Sequence, residues 1–111
     1  MKRICLVVMM ALAPAAALAR QDAALSAKGE SVYAAQKCQI CHSIAGKGNQ
    51  KGPLDGVGAK LSADEIRMWI VNAPEMTAKT KAARKPAMKA YAIPKDELAA
   101  LVAYLQGFTK K

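Results

Sequence analysis

The chain has 111 residues and carries 17 lysines and arginines against 8 aspartates and glutamates, a net charge of +9. This length leaves room for one domain only, and that domain has a basic surface. Large aromatic side chains are few: one tryptophan, three tyrosines and one phenylalanine. Because such a chain buries little apolar surface by itself, we expect some further cross-link or bound group to stabilise it.

The first nineteen residues have the pattern of a secretory signal peptide. Lys2 and Arg3 form a positive start, residues 4–18 are almost entirely apolar, and an A-x-A cleavage signal ends at Ala19. The apolar run is shorter than the roughly 20 residues that cross a bilayer, and no later run is long enough. We therefore expect export to the periplasm and a mature domain of residues 20–111, without a membrane span and with a net charge of +7.

The mature chain predicts three helices and almost no strand, which is an all-α fold. The first helix covers about residues 26–37, where Gly29 leaves room for close approach of another element. The second covers about residues 61–72 and opens with an S-x-x-E capping box, followed by apolar residues at helical spacing. The third starts near Pro94, has two acidic residues in its first turn and ends before Gly107.

Two long segments between the helices lack a clear pattern. Residues 43–60 contain five glycines and a proline, which disfavours regular structure. Residues 73–93 show no periodicity, although residues 77–84 could form a short helical turn. Loops of this length in compact domains are usually functional or disordered. If they are ordered, they need a surface to pack on, and the small core supplies too little of it.

Residues 38–42 read CQICH and hold both cysteines of the mature chain and its only histidine. A structural zinc site needs four ligands, and this set offers three. A thioredoxin-like dithiol expects a βαβ context, and a disulfide between Cys38 and Cys41 would close a ring too short to stabilise long loops. Covalent attachment of one haem c fits best, because the two thiols bond the porphyrin and His42 coordinates its iron.

Three methionines remain as candidates for the other axial position of the iron. Met68 lies in the second helix, whereas Met76 and Met88 lie in the segment that follows. Met88 comes just after Pro86 and just before the last helix, so a loop that wraps the haem can bring it opposite His42. We predict His42 and Met88 as the axial ligands, with Met76 or an open iron as the alternatives.

An iron with both axial positions filled has one-electron transfer as its remaining chemistry, so we expect a soluble electron carrier and not an enzyme. Five basic residues between positions 79 and 89 are either a solvated face or a patch that steers an acidic redox partner. Nucleic-acid binding is disfavoured, because the basic run lacks interleaved aromatics. The alternative is a haem protein with an open or displaceable sixth ligand, which binds a small ligand or accepts electrons within a dehydrogenase complex.

The motifs around these residues resemble the exported class I monohaem c-type cytochromes of bacteria. The similar pieces cover nearly the whole mature chain: GESVY, CQICH, GPLDGVG, WIVNAP, KPAMKAY and DELAALVAYLQGF. The resemblance implies the cytochrome c fold, with three main helices and long loops wrapped around one covalently bound haem. We expect such a protein to be a monomer that meets redox partner proteins.

The resemblance also implies details of the haem pocket. The first and last helices should pack together, with Gly29 and Tyr33 facing the last helix. Pro53 should give its carbonyl to the second ring nitrogen of His42, a bond that fixes the orientation of the ligand. Trp69 should pack near the haem, and a plain core position for this side chain stays open as well.

Signal cleavage can be tested on the exported protein by intact mass. We expect a mature chain that begins at Arg20, because the cleavage signal ends at Ala19. An exported chain that still begins at Met1 would contradict this interpretation.

Overall fold

A computed structural model describes the backbone of residues 15–110 and the side chains of residues 22–110. Within these residues there are five α-helices: α1 (Ala15–Ala35), α2 (Val57–Lys60), α3 (Ala63–Val71), α4 (Ala73–Thr80) and α5 (Lys95–Gln106). A single 3-10 turn covers Cys38–Ile40, and the short strands β1 (Ser43–Ile44) and β2 (Lys47–Gly48) pair antiparallel. The all-α prediction is therefore confirmed. Residues 1–14 of the predicted signal peptide lie outside the described residues.

The second and third predicted helices are confirmed as α3 and α5. At the start of α3, Ser62 Oγ accepts from the Glu65 amide at 3.2 Å, and Glu65 Oε1 accepts from the Ser62 amide at 3.1 Å. This is the reciprocal capping box that the sequence predicts. Helix α5 has Pro94 at its N-cap and ends at Gln106, directly before Gly107. Local sequence signals therefore set both helices.

The other predicted boundaries need correction. Helix α1 begins earlier than residue 26 and ends at Ala35, because Lys37 adopts a left-handed conformation with φ of 58°. Residues 73–80 were expected to be loop but form α4, with Pro74 in its first turn. Proline is tolerated there because the first amides of a helix have no intrahelical partner. The glycine-rich segment likewise contains the two short strands and α2.

Helices α1 and α5 cross at Gly29, as expected. A Cβ atom at this position would collide with the carbonyl oxygen of Ala100 and with the side chain of Tyr104. One turn further along α1, the ring of Tyr33 packs on that of Tyr104, with centroids 5.9 Å apart. The absence of a side chain at Gly29 thus lets the two backbones touch and brings these rings together.

The buried core lies between α1, α3 and α5. Its members are few and almost all aliphatic: Val32, Tyr33, Ile66, Ile70, Leu101, Val102 and Leu105. An ion pair of 2.8 Å between Lys28 and Asp96 also joins α1 to α5, but both side chains are largely exposed, so its contribution to stability is small. Among residues 15–110, none of the helices is both long and apolar enough to cross a membrane.

Replacement of Gly29 by alanine should lower the free energy of unfolding by about 1–3 kcal/mol, because the new methyl group overlaps the α5 backbone. Urea unfolding followed by circular dichroism would measure this. Gly107→Ala is the matched control, since the nearest atom to a Cβ there is the Tyr104 carbonyl oxygen at 3.3 Å. Equal losses in the two variants would contradict the close-packing role of Gly29.

Candidate haem site

A cavity of about 650 Å³ opens beside the core. Each of the helices α1 to α5 contributes to its wall, together with the segment after α4. Five of the buried core residues also line it: Tyr33, Ile66, Ile70, Leu101 and Leu105. The core is therefore open on one side, and its apolar side chains face a space large enough for a bound group.

The wall of this cavity brings together the four residues predicted to attach and ligate a haem, Cys38, Cys41, His42 and Met88. Cys38 begins the 3-10 turn and Cys41 directly follows it, and both are half-buried free thiols. Burial raises the pKa of the Cys38 thiol. One tight turn thus places the two thiols and the imidazole of the motif on the same wall of the cavity.

The three described methionines differ in their relation to the cavity. Met88 is half-buried and lines it. Met76 is buried within α4, and Met68 is half-buried in α3, and neither belongs to the wall. Of these three thioethers, the one favoured from the sequence is therefore the one that faces the same space as His42.

The imidazole of His42 has a backbone partner, although a different one from that expected. Its Nδ1 lies 3.0 Å from the carbonyl oxygen of Gly52, so the prediction for the Pro53 carbonyl is wrong by one residue. A bridge between Ser43 and Pro53 explains this, since the Ser43 amide donates to Gly52 and the Leu54 amide donates to Ser43. Carbonyls alternate along an extended segment, so that of Pro53 points away.

This contact determines the chemistry of the ring. A carbonyl oxygen can only accept, so Nδ1 carries the proton and the lone pair of Nε2 is left for a metal. Burial lowers the pKa of His42, the nearby Arg84 charge lowers it further, and the Gly52 hydrogen bond acts in the opposite direction. The imidazole is therefore neutral at neutral pH, and this is the form that ligates iron.

Arg84 is a site residue that the sequence interpretation missed. Its Nη2 donates to the Cys41 carbonyl oxygen at 2.5 Å, and its side chain lines the cavity. Gly52 makes room for it, because a Cβ there would collide with the guanidinium group. In the sequence Arg84 is one of five basic residues between positions 79 and 89, and no local signal distinguishes it from the others.

Aromatic side chains complete the wall. Trp69 is half-buried and lines the cavity, a position compatible with both roles considered for it. Tyr91 also lines it, and Lys89 Nζ lies 5.0 Å from the centre of its ring. The side chain of Tyr33 is buried, and its hydroxyl has no hydrogen-bond partner within the described chain. Burial raises the pKa of Tyr33 to about 12.

These residues fit a haem on three counts. The wall is mainly apolar, it carries two thiols next to an oriented neutral imidazole, and the hydroxyl of its buried Tyr33 has no partner among the described residues. An unpaired hydroxyl at a cavity wall is compatible with a bound group that accepts a hydrogen bond from it. No cluster of three or more His, Cys, Asp or Glu side chains suited to a metal ion occurs within the described residues.

Comparison with known proteins identifies the family of the chain. The cytochrome c family model matches residues 26–109, well over half of the chain. The chain therefore belongs to the cytochrome c family, and membership implies a covalently bound c-type haem. Proteins of this family are typically electron carriers and not enzymes. No curated protein and no solved structure matched the chain.

Proposed function

We propose that this protein is an exported one-electron carrier of the class I monohaem type, with one haem bonded to Cys38 and Cys41 and ligated by His42 and Met88. The observation that supports it is that one cavity is lined by all four of these side chains. When bound, the haem would supply a one-electron couple between ferric and ferrous iron. The protein's part is to hold both ligands and to exclude water.

The two proposed ligands make different demands on the protein. His42 has its ring fixed by the Gly52 carbonyl and its charge suppressed by burial, so the imidazole needs neither rotation nor loss of a proton before it ligates. Met88 offers a soft thioether from a half-buried position. Thioether ligation and an apolar wall both favour the less charged, reduced state, and they raise the reduction potential.

The alternative is a site whose sixth ligand can be displaced by a small molecule, as in a ligand-binding haem protein or an electron-accepting subunit. One observation favours it: residues 83–90, which include Met88, make no backbone hydrogen bonds in the described chain. Prompt, tight binding of carbon monoxide to the reduced protein at neutral pH would support this alternative. Failure to bind carbon monoxide would support the carrier.

We also propose that the basic residues near the cavity guide a redox partner with an acidic surface. All five are exposed: Lys79, Lys81, Arg84, Lys85 and Lys89. Two of them, Arg84 and Lys89, also lie on the cavity wall. Positive charge at the point where electrons leave or enter increases the rate of encounter with an acidic partner. The simpler possibility is a solvated face without a partner.

The choice of Met88 can be tested by paired substitutions to leucine, which conserve volume. Met88→Leu should abolish the sulfur-to-iron charge-transfer band in the far red and lower the reduction potential, because a soft axial ligand is lost. Met76→Leu should keep both, since Met76 is buried in α4 and does not line the cavity. A band that survives in Met88→Leu and vanishes in Met76→Leu would reverse the assignment.

The docking proposal predicts a strong effect of salt. The bimolecular rate of electron transfer to an acidic redox protein should fall steeply as ionic strength rises through the range in which the Debye length shrinks from about 30 Å to about 10 Å. Lys85→Gln should weaken this dependence, and Lys28→Gln, on α1, should leave it nearly unchanged. A rate that is independent of salt would indicate a merely solvated face.

A further inference from the structure

We propose that Arg84 is a positioning residue whose hydrogen bond to the Cys41 carbonyl, here called the tether, attaches residues 83–90, including Met88, to the CQICH segment. The same side chain places a positive charge beside the proposed histidine ligand. This inference rests on the proposed ligation by His42 and Met88. It concerns a residue that neither the motif nor the family match assigns.

The first argument is the scarcity of other attachments. The Ala82 amide still donates to Thr77 at the end of α4, and the next backbone hydrogen bond is from the Tyr91 amide to Ile70. Between these points, over residues 83–90 of the described chain, the contact from Arg84 to the Cys41 carbonyl is the only hydrogen bond. All side chains in this stretch except that of Met88 are exposed.

The second argument is the fit of the guanidinium group. The Cys41 carbonyl accepts no other hydrogen bond within the described residues, although the Cys41 amide donates back to Cys38 to close the 3-10 turn. Arg84 therefore satisfies an acceptor that would otherwise lack a protein partner. Gly52 borders the same place, and any side chain there would displace the guanidinium group. This contact thus brings together three separate segments, which contain Cys41, Gly52 and Arg84.

The third argument is charge. Cys41 is adjacent in sequence to His42, so the guanidinium group lies beside the segment that carries the proposed ligand. A fixed positive charge near the ligand favours the reduced centre, which carries one positive charge fewer than the oxidised centre. Arginine suits the role better than lysine, because its planar group donates from several fixed directions and stays charged.

The tether can be tested with Arg84→Gln and with Lys85→Gln as the matched control, which removes the same charge one residue away. Two rates should be measured on the haem-loaded protein: binding of imidazole to the oxidised form, and cleavage after Lys89 by an endoproteinase specific for lysine. Arg84→Gln should raise both rates by roughly tenfold, the expected effect of losing one charge-assisted hydrogen bond. Lys85→Gln should change each by less than about twofold, in line with an ordinary surface substitution. Equal rates in the two variants would overturn the tether.

The charge effect is tested by the midpoint reduction potential. Arg84→Gln should lower the potential more than Lys85→Gln does, and Arg84→Lys should recover most of the loss because it keeps the charge. Arg84→Lys should nevertheless bind imidazole faster than the unaltered protein, since it loses the fixed geometry of the guanidinium group. Equal shifts in Arg84→Gln and Lys85→Gln would refute the specific electrostatic role.

Failure of this inference is distinguishable from failure of the proposed ligation. If Met88 is not a ligand, Met88→Leu binds imidazole as fast as the unaltered protein does, whether the iron is open or ligated by Met76. The cleavage rate after Lys89 still decides the tether in that case, because it reports opening of the segment whichever residue ligates the iron. If the ligation is right and the tether wrong, the unaltered protein and Arg84→Gln both bind imidazole slowly.

Discussion

The contact between the backbones of α1 and α5 at Gly29 is the constraint from which the rest of the structure follows. Because no side chain separates the helices there, Tyr33 of α1 and the leucines of α5 come together in the small core. Tyr33, Leu101 and Leu105 also line the cavity. A shift of one helix against the other would therefore alter the core and the site together. A core this small gains stability from whatever fills the space beside it.

The two sides of the cavity are held very differently. On the histidine side, α1 leads through the left-handed Lys37 directly into the 3-10 turn, and the bridge from Ser43 to Pro53 then fixes Gly52 against the imidazole. On the methionine side, eight residues pass without a backbone hydrogen bond in the described chain. Because one side is held rigidly and the other is attached lightly, the proposed methionine ligand is the one that could be displaced, and a single side chain there could control the site.

Electrostatics and burial act together at this site. The apolar wall keeps His42 neutral and raises the pKa of Tyr33, while the positive charge of Arg84 adds to the effect on the histidine. The other basic residues of the same segment are exposed, so they extend the positive electrostatic potential from Arg84 towards the solvent. The charge that would favour the reduced centre and the charge that would guide a partner therefore belong to one stretch of chain.

Several features of the molecule depend only on neighbours in the chain, and these could be predicted from the amino-acid sequence alone. The capping box set the start of α3, Pro94 and Gly107 bounded α5, and the spacing in CQICH predicted covalent haem attachment. Gly29 was also readable, because a lone glycine in a helix suggests close approach of another element. Each of these signals acts within about one or two helical turns, so no knowledge of the fold is needed to interpret it.

Other features depend on contacts between distant segments, and these become visible only in the folded chain. Pro74 could equally end one helix or begin another, and the burial of Ala73 and Met76 favours a helix there. The identity of the carbonyl at His42 depends on the register of a single bridge, where a shift of one residue exchanges Gly52 for Pro53. Arg84 reaches Cys41 across 43 positions. Local propensity carries no information about such pairings, because their energies arise only after the chain has folded.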